Sequence, residues 1–404
     1  MRELALVLVA VVVSPWVVAA QDSRAEVLEE QRRAKASTLK PYEPGKLEKL
    51  VMNAEEGKLR RMIAPHNGFF AEYGYSYKPV GSGLGFGGGF RHDLFKRQAR
   101  VELEAGATFR KYRLFRADFS LPRLFDEHLE LGVEATHRHH PQEDFYGTGM
   151  ETVREDRVSF LFKGTQVQGR AVVVPRSWLR VGTRFGHLAT SAGSGADRRF
   201  PSIEERFDVT AAPGLLEQPD YVYGDAFAAV DYRDERGNAR SGGHYAVTLR
   251  QYSDRDLDRY SFNSVDVLLQ QFVPLFDKKR VFAFQTGIIA TSAADGHEVP
   301  FFMRPTVGGS RTLRSVADYR FRDTNALWMN VEYRWEAFGL LDMALFTDWG
   351  TVAPRASDLD FSDLKRGYGI GFRFNTAQAV FLRIDIATGA GEGTRFFFKF
   401  SRAF

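Results

Sequence analysis

Two neighbouring stretches, residues 324–335 and 340–349, alternate between apolar and polar side chains. Successive side chains of a β-strand point to opposite faces, so each stretch predicts a strand with one apolar face and one face that carries charged side chains. Only residues 336–339 separate them. This pattern is typical of a transmembrane β-hairpin, which turns one face to lipid and the other to a polar lumen. The polar faces carry Trp328, Asn330, Glu332 and Arg334 in the first strand, and Asp342, Ala344, Phe346 and Asp348 in the second.

The same kind of run recurs along the chain from about residue 66 to residue 404. We count sixteen such runs, an even number, as an outer-membrane barrel requires. The predicted strands are 68–78, 82–92, 98–108, 111–121, 127–138, 157–173, 177–188, 222–232, 243–252, 260–272, 280–291, 324–335, 340–349, 364–374, 379–388 and 394–404.

The connections between these strands differ in length from one side of the sheet to the other. Short turns are predicted at 93–97, 122–126, 174–176, 273–279, 336–339 and 375–378, and long loops at 139–156, 189–221, 292–323 and 350–363. In bacterial outer-membrane barrels the short turns are periplasmic and the long loops extracellular. The sequence therefore predicts an all-β fold, a sixteen-stranded antiparallel transmembrane β-barrel in the bacterial outer membrane, with a short helical N-terminal tail.

The first 65 residues differ from the rest of the chain. Residues 1–20 combine a charged start, an apolar core and a small-residue cleavage site, which predicts a secretory signal peptide. Residues 21–65 are polar, with Leu and Val at helical spacing, and predict a periplasmic tail with one or two helices. The predicted barrel occupies residues 66–404.

Composition excludes several other classes. Beyond the signal peptide, no window has the roughly 18 apolar residues that a spanning helix needs, and the mean hydropathy is −0.30. The chain has no cysteine, so an exported fold must be held by packing or by a closed sheet. A formal charge of +4 with interspersed charges is unlike a nucleic-acid-binding surface, so no nucleic-acid partner is expected.

The first and last predicted strands have matching aromatic faces. Phe69, Tyr73 and Tyr75 share one face of the first strand, and Phe398, Phe400 and Phe404 share one face of the last. Closing a barrel requires these two strands to meet and so remove the open sheet edges. We expect the lipid-facing aromatics to mark this seam, with the C-terminal aromatic as the barrel's C-terminal signal.

No motif predicts enzymatic chemistry, a cofactor or a metal. Glycines lie between residues 81 and 89, but flanking strands on both sides favour a strand with glycine on its lumenal face over a phosphate loop. His137, His139 and His140 lack the usual ligand spacing and predict a polar extracellular loop. The sequence has no Gly-x-Ser-x-Gly elbow and no His-Glu-x-x-His, so no catalytic residue is assigned and no enzyme is expected.

Arg314 is the candidate functional residue, in the long loop ahead of the alternating hairpin. On a loop folded into the lumen it could pair with Glu332 or Asp348, and the partly dry interior would strengthen that pair. An exposed loop arginine facing water or lipopolysaccharide accounts for the residues equally well. Residue types alone leave the two alternatives open.

The C-terminal hundred residues resemble the BamA/TamA-type outer-membrane assembly barrels, also called the bacterial surface antigen family. That family has a Gly-Gly loop followed by an arginine motif, an Arg-Phe pair, a Glu-Tyr-Arg strand and a Phe-x-Asp-x-Gly strand. The matching residues here are Gly308-Gly309, Leu313-Arg314, Arg320-Phe321, Glu332-Tyr333-Arg334, Phe346-Thr347-Asp348-Trp349-Gly350, residues 367–374 and residues 382–387.

The resemblance implies that Arg314 enters the lumen as a latch on Asp348, with Glu332 nearby. It also implies insertion or translocation of proteins through a weak seam between the first and last strands. Its partners would be outer-membrane lipid and lipopolysaccharide, nascent outer-membrane proteins, and a separate periplasmic receptor protein. The sequence departs from the family at Ser315-Val316, where a Gly-aromatic pair is usual, and residues 21–64 leave no room for a periplasmic polypeptide-transport-associated domain. The alternative is a passive or plugged channel without insertase activity.

Overall fold

The computed structural model describes residues 67–73, 83–362, 364–375 and 380–399. The predicted signal peptide, the helical tail, Tyr75, Phe400 and Phe404 lie outside the described residues, as does the side chain of Tyr73. Sixteen long strands and one pair of two-residue strands make up the regular structure. The strands are β1 (Gly68–Tyr73), β2 (Gly85–Leu94), β3 (Ala99–Thr108), β4 (Arg113–Leu124), β5 (Leu129–Phe145), β6 (Val158–Arg176), β7 (Leu179–Ser194), β8 (Asp220–Asp231), β9 (Gly242–Asp254), β10 (Phe262–Leu275), β11 (Arg280–Ala293), β12 (Thr306–Val307), β13 (Phe321–Arg322), β14 (Asn325–Phe338), β15 (Leu341–Ala353), β16 (Lys365–Asn375), β17 (Val380–Gly389) and β18 (Thr394–Lys399).

The sixteen long strands form one antiparallel sheet, which begins at β1 and ends at β18. Each long strand pairs with the next along the chain, and β11 pairs with β14 across the loop that holds β12 and β13. The predicted strand number and antiparallel order are therefore confirmed. Several strands run further at their extracellular ends than predicted, because their ladders continue above the apolar band.

The histidine cluster lies on a strand rather than in a loop. We expected an extracellular loop over 139–156, but β5 continues to Phe145 and stays paired with β6 through an irregularity between His140 and Glu143. Alternation places His137 and His139 on the outward face and His140 on the lumenal face. His140 Nδ1 lies 2.6 Å from Glu143 Oε1, and among the described residues no group of three or more potential metal ligands occurs.

Helical structure in the described part of the chain is limited to five short 3-10 turns. None of the described helices has the length and apolar composition to cross a membrane.

The two faces of the sheet differ as the alternation predicts. Outward side chains are exposed and apolar, among them Phe69, Phe185 and Leu345. Inward side chains form ion pairs between strands, such as Arg170 with Asp118 at 2.5 Å and Arg184 with Asp225 at 2.9 Å. The inward face is thus a charged lumen, in which paired side chains satisfy one another.

The glycine-rich strand β2 has glycine on its lumenal face, as expected. A methyl group added at Gly89 would lie 2.5 Å from Cζ of Phe70, which points inward from β1. Glycine is needed here because the Phe70 ring occupies the space that a side chain would fill.

Segments from both sides of the membrane fold over the ends of the lumen. At the extracellular end, an apolar core joins β5, β6, the 195–219 loop and the 294–324 loop around Phe145, Phe160, Ile203 and Phe301. At the other end, the ten-residue turn 232–241 between β8 and β9 reaches across the sheet. Arg240 Nη2 in this turn donates to Asp342 of β15 at 2.7 and 2.9 Å, and the Gly237 carbonyl accepts from Val380 N of β17 at 3.5 Å. These contacts require the sheet to curve back on itself.

Candidate functional site

The loop between β11 and β14, residues 294–324, folds inward as a hairpin. Its stem is the two-residue ladder of β12 with β13, and its tip is residues 308–320. Gly308 and Gly309 have φ of 139° and 82°, a region that favours glycine. A methyl group at Gly309 would lie 1.7 Å from Oδ1 of Asp318, so glycine is also needed for space. The Gly-Gly pair therefore permits the tight reversal that carries Arg314 to the wall.

Arg314 binds Asp348 of β15 through three hydrogen bonds. Its backbone N donates to Asp348 Oδ2 at 3.0 Å, its Nε donates to the same oxygen at 2.7 Å, and its Nη2 donates to Oδ1 at 2.5 Å. Arg314 is 1% exposed and Asp348 0%. Of the two alternatives that the sequence left open, the structure shows the lumenal one for this side chain.

Glu332 and Phe346 complete the surroundings of Arg314. Arg314 Nη1 donates to Glu332 Oε1 of β14, and its guanidinium carbon lies 3.4 Å from the centre of the Phe346 ring of β15. A guanidinium over an aromatic face gains electrostatic attraction from the ring quadrupole. Opposing hydrogen bonds and a stacked ring thus fix the planar group in one orientation.

Three further arginines extend the site across β14, β16 and β17. Arg334 Nε donates to Glu332 Oε2 at 2.7 Å, and Arg373 bridges Glu332 at 2.9 Å and Asp385 at 2.8 Å. Arg383 Nε donates to Asp385 Oδ2 at 2.5 Å. We call the seven charged residues the lumenal charge cluster: Arg314, Arg334, Arg373, Arg383, Glu332, Asp348 and Asp385. Four guanidinium groups face three carboxylates, so the buried cluster carries a net charge of +1.

Glycines of the wall make room for the loop tip. A methyl group at Gly367 of β16 would lie 2.4 Å from Ser315 Oγ, and one at Gly350 of β15 would lie 2.6 Å from a methyl of Val307. At Gly369, the Phe346 ring occupies the equivalent space, at 2.5 Å. The Gly-Tyr-Gly and Phe-x-Asp-x-Gly sequences therefore form the floor on which the loop rests.

Ser315 and Val316, the departure from the family pattern, are both fully buried. Ser315 packs on Gly367, and Val316 joins an apolar cluster with Val307, Leu313 and Phe321. The departure removes the aromatic residue that follows the arginine in the family pattern and that could stack on it. The wall supplies one instead, because Phe346 lies against Arg314.

Arg320 links the loop to two other extracellular connections. Its Nε donates to Glu392 in the turn between β17 and β18, and its Nη1 and Nη2 donate to the Oγ1 and carbonyl oxygen of Thr152 at 2.7 and 2.6 Å. Thr152 belongs to the connection between β5 and β6. The neighbouring Phe321 is 2% exposed in the loop's apolar cluster. Arg320 thus ties three connections together at the lumen mouth.

Asp318 is a titratable carboxyl group in the loop tip. Its Oδ1 is buried without a hydrogen-bond partner among the described residues, and burial, followed by the charge of Asp144, raises the pKa of the carboxyl group to about 7. Because the folded state disfavours the ionised form, stability falls as the pH rises from about 4 to about 7. We expect Asp318→Asn to match the native protein only below about pH 4 and to be more stable at pH 8, measured by denaturant unfolding in micelles.

Asp358 provides the control for that measurement. The Arg355 hydrogen bond lowers the pKa of this exposed loop carboxyl, so Asp358→Asn should not be stabilised at pH 8. Equal stability of Asp318→Asn and the native protein at both pH values would contradict the assignment.

The structure places the seam residues only in part. Phe69 of β1 and Phe398 of β18 are 80% and 58% exposed, on the outward face. Tyr73 pairs with Phe86 as a backbone position of β1. These observations locate the two terminal strands, and the role of the aromatics as a seam and C-terminal signal stays a prediction.

Sequence reasoning missed four of the seven residues of the lumenal charge cluster. Arg334, Arg373, Arg383 and Asp385 lie within segments that match the family, yet they were not singled out. Alternation along its strand places each of these side chains on the lumenal face, between neighbours that face lipid. The signal was therefore present, but their grouping depends on the register between four strands.

Comparisons with known proteins agree with this geometry. The sequence matches the model of the Omp85 superfamily domain over residues 93–404, which is more than half of the chain. No curated protein matches the sequence. This match confirms the family that the C-terminal motifs resemble.

Three solved structures share the fold. BamA from Haemophilus ducreyi lacking POTRA domains 1–3 has a TM-score of 0.63 at 15% identity, covering 82% of this chain and 69% of that chain. CdiB from Escherichia coli has a TM-score of 0.53 at 11% identity, and CdiB from Acinetobacter baumannii has 0.50 at 13%. Each CdiB match covers 82% of this chain, which spans 61% and 58% of those two chains, respectively. The chain therefore belongs to the Omp85 superfamily and is an outer-membrane β-barrel.

Proposed function

We propose that this protein assists the insertion or translocation of other proteins at the outer membrane, through the seam between β1 and β18. The observation that carries the proposal is the loop tip docked by Arg314 on the wall formed by β14 to β17, next to the last strand. Lys399 of β18 reaches the same tip, with its Nζ 3.3 Å from Ser310 Oγ. The tip thus contacts a strand at one edge of the sheet, where a client strand would have to pair.

Family membership supports the proposal, and so does the use of the lumen. Paired charges and the inward loop fill the space beside β14 to β17, and segments cover both ends of the lumen. A protein client would therefore use the edge of the sheet, whose backbone groups can template a new strand. Nascent outer-membrane proteins are the proposed clients, and a separate periplasmic receptor is the partner that would deliver them.

The proposal predicts that the barrel speeds folding of a client. A small unfolded outer-membrane protein should fold faster in liposomes that contain the full-length protein than in liposomes of lipid alone. The folding rate is measured on gels, where the folded client runs as a separate band until it is heated. A sixteen-stranded porin at the same protein-to-lipid ratio controls for bilayer defects, which also accelerate folding. A rate no higher than with that porin would count against insertase activity.

The rival function is a plugged channel, which the inward loop favours. Planar-bilayer recording separates the two proposals, because a plugged channel would pass ions after the loop is released without speeding client folding. A native barrel with small conductance and no effect on folding would favour the channel.

A further inference from the structure

Two cations, Arg113 and Lys163, flank the imidazole of His139 on the outward face of β4, β5 and β6. Arg113 lies opposite His139, and His139 lies opposite Lys163, in the registers of the two strand pairs. Neighbouring strands are about 4.8 Å apart, so the row is about 10 Å wide. Arg113 and Lys163 are exposed and His139 is half-buried. We call these residues the outward basic row.

In the part of the chain that the structure describes, no carboxylate lies within 4.0 Å of Arg113 or Lys163. Lys111, in the turn before β4, adds another basic residue nearby. The arrangement is therefore suited to an anion from outside the chain.

The position of the row corresponds to the outer headgroup region. His139 is ten residues along β5 from Leu129 at the periplasmic end. Ten residues of a strand tilted by about 40° rise about 25 Å, the height of the apolar band of an outer-membrane barrel. The row thus lies where the outer leaflet's polar groups begin.

An apolar groove lies directly below the row on the same outward face. It has a volume of about 740 Å³. Small residues form its floor, with Gly88 opposite Ala105 and Ala117 opposite Ala135. Phe90 and Phe115 flank these positions, and His137 hydrogen-bonds Thr165 at 2.8 Å at the boundary with the row. The lining suits hydrocarbon chains, and the polar pair marks the transition to headgroups.

We propose that the outward basic row and the groove together bind one phosphorylated lipid of the outer leaflet. The row pairs with the lipid's phosphate, and the groove holds its acyl chains. Charge complementarity above and an apolar depression below match an amphiphile with an anionic head. The basic row lies on β4 to β6, away from the loop tip, whereas the groove also reaches Phe69 of β1 at the seam. Lipid binding is measured without a client protein, so this proposal does not depend on the proposed function.

Lipid binding to the full-length protein in micelles tests the site, with bis-phosphorylated lipid A as the probe and native mass spectrometry as the readout. Arg113→Ala/Lys163→Ala should weaken lipid A binding about thirty-fold, the effect expected for two cations near an anionic surface. Arg366→Ala, which removes an outward cation of β16 opposite Trp349, should leave binding unchanged. Lipid A binding by the double variant at native strength would overturn the proposal.

A second variant tests the groove. Ala117→Phe fills the floor from an outward position, so it should weaken lipid A binding several-fold while heat-resistant migration shows that the barrel still folds. Inorganic phosphate at millimolar concentration should not displace lipid A, because it lacks acyl chains. Full displacement by phosphate, or unchanged lipid binding by Ala117→Phe, would refute the combined site.

Discussion

Replacing Arg314 with alanine is expected to lower the free energy of unfolding by about 3–5 kcal/mol, the cost of removing one partner from a buried ion pair. The change leaves Asp348 with Asn330 Nδ2 as a side-chain donor at 2.8 Å, and it removes one of the guanidinium groups that pair with Glu332. Denaturant unfolding in micelles, followed by tryptophan fluorescence, measures the loss. Planar-bilayer recording should show a higher conductance, because the loop tip loses its main attachment.

Two variants make that result specific. Arg311→Ala removes an exposed arginine from the same loop tip and keeps the backbone carbonyl that accepts from Gln285, so it should change stability by less than about 0.5 kcal/mol. Arg314→Lys keeps the charge but loses the planar fork, and its stability should fall between those of alanine and arginine. Equal stability of Arg314→Ala and Arg311→Ala would rule out the latch as a stabilising element.

Replacing Glu332 with glutamine should destabilise the barrel by a similar amount, about 3–5 kcal/mol. Glu332 accepts from Arg314, Arg334 and Arg373, so its neutralisation raises the net charge of the lumenal charge cluster from +1 to +2. Asp348→Asn should cost less, because Asp348 faces a single guanidinium and an amide oxygen can still accept a hydrogen bond. Unfolding in micelles compares the two variants.

A double variant tests whether charge balance is the cause. Glu332→Gln/Arg334→Gln removes one charge of each sign and restores the net charge of +1. It should recover part of the stability lost by Glu332→Gln, as expected for coupled neighbours. Additive losses from the two substitutions would show that packing, rather than charge balance, sets the cost.

The sheet was predictable because the alternation within each strand indicates which of its side chains face lipid and which face the lumen. Alternation in β14 and β15 assigns Glu332 and Asp348 to the lumen without reference to any other strand. Strand ends were less predictable, since residues such as Phe145 pair above the membrane, where alternation between lipid and lumen no longer applies. The turn 232–241 gave no signal of its inward path, because its contacts with Asp342 and Val380 join residues far apart in sequence.

The site was predictable only in part. Arg314, Asp348 and Glu332 follow from one loop and two strands, together with the family resemblance. Arg373, Arg383 and Asp385 enter through the relative register of β14, β15, β16 and β17, which depends on hydrogen bonds that the sequence does not encode locally. The stacking of Phe346 likewise depends on the space above Gly369 in the adjacent strand.

The final hairpin, β17 and β18, is fastened at both faces of the membrane. On the extracellular side Glu392 accepts from Arg320, and on the periplasmic side Val380 donates to Gly237. The first strand is held through its ladder with β2. If the seam widens as the proposed function requires while these contacts of β17 and β18 are kept, we expect β1 rather than β18 to be the strand that moves.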